Sequence, residues 1–133
     1  LIDLLSNFLN RTKRNFMKSK YLIVFIVILL SCKKKDCKNI STSFKSYSAA
    51  KVELKKYSFK IQENTNTEQS SWIRSIEYLS CDGKVGFLVM RTDEQEYLHQ
   101  NVPIKIWEQF KNSRSFGSFY NMKIKYKYQL SIE

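Results

Sequence analysis

Glycine is scarce. Gly83, Gly86 and Gly117 are the only three in 133 residues, and none stands in the spacing that a glycine-rich phosphate loop requires. There is one histidine, His99, with no second histidine and no clustered acidic pair at metal-ligand spacing to accompany it, so the sequence offers no basis for a metal centre. Cys81 has no base in its local sequence to make it a nucleophile. No apolar run reaches the ~20 residues that a membrane-crossing helix needs. Internal repeats are missing as well. These absences lead to the expectation of a non-enzyme that carries no cofactor.

What is abundant is positive charge, 23 Lys and Arg against 12 Asp and Glu, and such a balance favours anionic neighbours. The charge is unevenly spread, net +4 in residues 1–31 and +7 in the remainder. Residues 70–130 carry only +3, which is weak for a nucleic-acid binder. The length allows one small domain with a modest core.

The apolar run Tyr21 to Leu30 follows Met17-Lys18-Ser19-Lys20 and precedes the small Ser31 and Cys32. A short positive segment, ten apolar residues and a small residue are the layout of a secretory signal. Leu29-Leu30-Ser31-Cys32 resembles the lipobox of bacterial lipoproteins, in which the cysteine thiol receives a diacylglycerol and the signal is cut just before it. That resemblance implies residues 17–31 as a lipoprotein signal peptide, Cys32 as the lipid attachment site, and an extracytoplasmic address in the cell envelope. Stable anchoring takes two or more acyl chains or a second signal. Residues 1–16 read as upstream sequence translated from a misplaced start, or as an amphipathic helix with Leu1, Leu4, Leu5, Phe8 and Leu9 on one face.

Residues 32–46, which open with Cys32 and the lysine run Lys33, Lys34 and Lys35, read as a polar tether without fixed structure. In residues 47–69, Tyr47, Ala50, Leu54 and Tyr57 recur at three- and four-residue spacings, which predicts a short helix. Phe59 and Ile61 then alternate with polar neighbours as a brief strand, and "ENTNTEQSS" reads as a loop. Further on, Trp72, Ile76 and Tyr78 share one strand parity, Asp82-Gly83 offers a turn, and Val85 to Arg91 makes a second strand. "EYLHQ" closes a meander, and Pro103 opens a helix to Lys111 with Ile106, Trp107 and Phe110 on its inner face. Gly117 reads as the hinge of a tight turn. In "KIKYKYQL", Ile124, Tyr126, Tyr128 and Leu130 alternate with lysines, which predicts a final strand. The expected fold class is α+β: a small antiparallel β-meander with a covering helix and a C-terminal strand, preceded by a short helix and a signal segment.

"SSWIRSIEY", "EYLHQNVP", "IKIWEQF" and "SFGSFYNMKIKYKY" occur in an order that resembles the KTSC domain, a module named for the carboxy terminus of some lysyl-tRNA synthetases, over residues 70–130. The family's tyrosine-x-tyrosine motif reads here Tyr97-Leu98-His99. The resemblance, with the co-occurrence of cations and aromatics, implies a binding face at Phe116, Tyr120, Asn121, Lys123 and Lys125 with Tyr97 and His99 close by. It also implies RNA as a partner if the protein is cytoplasmic, because bases stack on aromatic platforms beside cations. The alternative is a core role for Phe119 and Tyr120 and a solvated lysine ladder.

If Cys32 is consumed by lipid, Cys37 and Cys81 are left as an even pair in an oxidising space, where a disulfide is expected. Its alternative is two unrelated thiols, with Cys81 a small turn residue. Three functions follow for comparison: a lipid-anchored envelope protein with a non-catalytic binding domain for an unknown protein or anionic ligand, a nucleic-acid binding module, and an unrecognised enzyme.

Overall fold

The alternating pattern between residues 61 and 103 folds as an antiparallel sheet of four strands in the computed structural model, which describes residues 34–133. Its strands are β3 (Ile61–Thr65), β4 (Ile73–Ser80), β5 (Val85–Thr92) and β6 (Glu96–Pro103), paired in sequence order. Ahead of them come β1 (Lys35–Asp36), a 3-10 turn (Cys37–Asn39), α1 (Tyr47–Leu54) and β2 (Tyr57–Ser58). Behind them come α2 (Ile104–Lys111) and α3 (Phe116–Lys123). The fold is α+β, with three helices and the sheet among the described residues. The expectations for residues 1–16, the signal at 17–31 and Cys32 lie outside the described residues.

Strand alternation sends side chains to two faces, and each face has its own core. On one, Ile76 and Tyr78 of β4, Leu88 and Met90 of β5 and Val102 of β6 pack under Trp107 and Phe110 of α2 and Tyr120 of α3. The Trp107 ring lies parallel to that of Tyr78, with centroids 5.4 Å apart. On the other, Leu79, Phe87 and Leu98 pack against Ala50 and Leu54 of α1 and against Phe44 and Leu130. Both cores lie within residues 34–133, which form a compact unit; a unit holding its own cores has what it needs to fold by itself.

Local chemistry accounts for the element ends. Ser46 caps α1 by accepting from the Ala49 N–H, and Ser115 caps α3 by accepting from the Ser118 N–H. Pro103 stands immediately before α2. In the β4–β5 turn Gly83 takes φ 79°, and Asp82 Oδ1 accepts from the Lys84 and Val85 N–H groups at 2.7 and 3.1 Å.

Several expectations are corrected. The stretch read as a tether is folded from Lys34 onward: β1 pairs in parallel with β2, and Cys37 and Phe44 are buried. Its polar composition conceals two anchors, Phe44 in the second core and Cys37 against Cys81. Glu63, Asn64 and Thr65, read as loop, form the second half of β3. In β4 the register shifts between Ile73 and Ser75, so Ile73 enters the core and Trp72 lies before the strand. Gly117 is no turn hinge; it sits inside α3, where a Cβ would come 2.8 Å from Trp72 Nε1.

The expected C-terminal strand is also absent. Lys123 ends α3, residues 124–127 turn, and only one bridge, His99 to Gln129, pairs the tail with the sheet. Two periodicities compete in this stretch, and the four-residue spacing of Tyr120 and Ile124 prevails because it places both in the core.

Candidate binding surface

A bulge in β6 sets the centre of the site. Gly86 pairs with Val102 and Leu88 with His99, so β6 spends an extra residue there, and Asn101 takes φ 57° to accommodate it. Asparagine is among the few residues that tolerate this left-handed conformation. As a result His99 and Val102, three apart, both reach the helix-covered side, and His99 meets Tyr120 of α3.

His99 is 4% exposed and Tyr120 2%. His99 Nδ1 lies 3.0 Å from the Tyr128 carbonyl, and Nε2 lies 3.2 Å from the Tyr120 hydroxyl. A carbonyl only accepts, so Nδ1 carries the proton and, in the neutral ring, Nε2 accepts from Tyr120. Burial lowers the His99 pKa from its ordinary 6.5, opposed by the bond to Tyr128. Burial likewise pushes the Tyr120 hydroxyl up to about 12, helped by Tyr97, Tyr47 and Tyr126 nearby. Both groups are therefore neutral near pH 7, and their bond locks β6 to α3 and the tail. The Tyr128 carbonyl also accepts from the Gln100 N–H at 3.3 Å.

The seven residues expected at the binding face are thus divided. Tyr97, half-buried, packs its ring 5.9 Å from that of Tyr120, and with His99 this trio belongs to the interior. Phe116 packs at a right angle on Phe110, 5.6 Å away, at the start of α3. Asn121, Lys123 and Lys125 are exposed at its end and in the following turn. Sequence reasoning counted Lys127, also exposed, among the cations of the tail but omitted two residues beside them, Met122 at 65% exposure and Tyr126 at 73%. Lys125 Nζ stands 5.2 Å above the Tyr126 ring. The signal that could have found this patch is that no acidic residue occurs between Glu108 and Glu133.

Glu63 was also missed. It accepts from Trp107 Nε1 at 2.8 Å and from Lys111 Nζ at 3.0 Å, which lowers its pKa and fastens edge strand β3 to α2. Cys37 and Cys81 are joined as a disulfide with α-carbons 5.6 Å apart, holding the 3-10 turn against the end of β4. Among the described residues no group of three or more His, Cys, Asp or Glu could hold a metal ion, and no helix is long and apolar enough to cross a membrane.

The family model of the KTSC domain matches residues 69–128, from the loop before β4 to the turn after α3. No curated protein and no solved structure matches the chain. The matched stretch therefore holds β4 to β6, α2 and α3, while β3 and α1 precede it.

Proposed function

We propose that this chain is a lipid-anchored envelope protein in which the KTSC-like stretch is a non-catalytic binding module for an anionic partner. The observation that carries the binding half is the segment Met122 to Lys127, where Lys123, Lys125 and Lys127 stand in solvent beside the exposed Met122 and Tyr126. Three cations that make no ion pair among the described residues attract anions, and the two apolar side chains supply contact area. The anchoring half rests on the lipobox-like sequence ending at Cys32. A nucleic-acid reading draws on the same patch, since Lys125 over Tyr126 is a cation beside an aromatic ring. It requires the protein to share a compartment with RNA.

Fatty-acid labelling of the wild type and of Cys32→Ala, followed by fractionation, tests the address. Label is expected only in the wild type and only in the membrane fraction; equal labelling of both ends the lipoprotein reading. Partner capture with Lys123→Glu plus Lys125→Glu tests the face, and loss of the captured partners is expected. Partners retained by this double variant but lost on a change at a distant surface would place binding elsewhere.

A further inference from the structure

The second face of the sheet is incompletely roofed. α1 has eight residues and at 1.5 Å per residue covers only ~12 Å, whereas four strands ~4.8 Å apart make a wider platform. The uncovered part is a cleft of about 170 Å³. Its floor and inner wall are apolar, formed by Leu54, Tyr57, Phe59, Leu79 and Val89. Seven of the lining residues, from Lys34 to Gln62, precede the family match and four, from Glu77 to Glu96, lie within it, so the cleft forms where the two stretches meet.

The cleft is lined by three lysines, Lys34, Lys51 and Lys55, against two carboxylates, Glu77 and Glu96, a net positive balance. Of the two carboxylates there, Glu96 is held by Lys51 Nζ at 2.9 Å and Glu77 accepts from Gln62 Nε2 at 2.8 Å. Lys34 and Lys55 also line the cleft and make no ion pair among the described residues. Drug-sized ligands occupy ~300 to 1,000 Å³, so this cleft admits a short hydrocarbon segment and leaves the remainder of a longer molecule outside.

We propose that this cleft binds an anionic amphiphile, its hydrocarbon chain on Leu54, Leu79 and Val89 and its carboxylate or phosphate head at Lys34 and Lys55. The proposal extends the reading of the protein as a binding module to a second site, and none of the cleft residues belongs to the Met122–Lys127 segment.

The test is methyl NMR of residues 34–133 titrated with octanoate, octyl phosphate, octanol and octyltrimethylammonium, each below its micelle concentration. Leu54, Leu79 and Val89 are expected to saturate with an anionic probe at about tenfold lower concentration than with octanol, and octyltrimethylammonium is expected to bind least. The tighter of octanoate and octyl phosphate identifies the head group. Lys34→Gln with Lys55→Gln, both exposed positions, should abolish the advantage of the anions. Val89→Phe should weaken all four probes by filling the cleft; should that variant fail to fold, Gln62→Trp at the exposed mouth replaces it. Equal binding of octanol and the anions, an anion preference that survives the double lysine change, or shifts confined to Met122 and its neighbours would each overturn the proposal. None of these outcomes bears on labelling at Cys32 or on partner loss with Lys123→Glu and Lys125→Glu, so the two readings fail separately.

Discussion

The two faces of the sheet are closed by different means. On the α2–α3 face, two successive helices cover the strands that lead into them, and Trp107, Phe110 and Ile124 are wholly withdrawn from solvent. On the α1 face, closure is assembled from separated pieces: one helix, Phe44, the tail at Leu130 and the Cys37–Cys81 bond. The first arrangement is built from elements that follow one another along the chain. The second gathers pieces that lie far apart in sequence, from Cys37 to Leu130, and a cleft opens beside its helix.

The largest expected difference between the faces is in truncation. Trp107→Ala removes the ring stacked on Tyr78 and is expected to destabilise by about 3 to 5 kcal/mol, near the whole stability of a small domain. Leu54→Ala, beside the cleft, should lie at the low end for such a change, about 2 kcal/mol, since its surroundings already adjoin open space. Denaturant unfolding of both variants checks the order, and a reversed order would mean that the α1 face is the tighter one.

Next comes the disulfide, which closes a loop of sequence separation 44. Replacing both cysteines by serine should lower stability by about 3 to 4 kcal/mol in the chain-entropy picture. Hydrogen exchange then sharpens the comparison, because residues 34–46 and α1 should lose protection before α2 and α3 do. Uniform loss across the domain would make the two faces one cooperative unit.

A pH effect should be confined to the α2–α3 face. The folded-state pKa of His99 lies below 6.5, so the unfolded chain binds the proton more readily. The stabilisation is complete above about 6.5 and is lost as pH falls from there through the folded pKa. Glu63 and Asp82 titrate below 4.5 and 3.8 respectively, leaving the interval above them to report His99. Thermal melts of the wild type and His99→Gln should converge in slope only if His99 is not the group responsible.

The smallest expected change is Tyr120→Phe, about 1 kcal/mol, because it removes the one donor to His99 Nε2 and keeps the ring. In this variant the imidazole ¹⁵N shifts should show that Nδ1 still carries the proton. A shift to the other tautomer would mean that the Tyr128 carbonyl does not hold the ring.

Short-range patterns in the sequence were enough for α1, for α2 and its Pro103 start, and for the Asp82-Gly83 turn. In each, the deciding residues lie within a few positions of one another: Ser46 with Ala49, Asp82 with Lys84, Trp107 with Phe110. β4 to β6 were legible too, β4 from the shared parity of Ile76 and Tyr78 and β5 from its largely apolar run, as a strand buried on both faces reads. Only the tertiary structure decided the rest. Phe44 becomes a core residue through Phe87 and Leu130, and Glu63 becomes a strand residue by pairing with Tyr78 of β4, its side chain reaching Trp107, 44 positions away. At the carboxy terminus, strand alternation and helical spacing were both written in residues 116–130, and the choice fell to the helix because the core had room for Tyr120 and Ile124 together. The bulge at Asn101, which turns His99 inward, left no mark in composition or period. A local pattern registers the free energy of neighbours along the chain, whereas burial and hydrogen-bond satisfaction depend on partners that only the folded chain assembles.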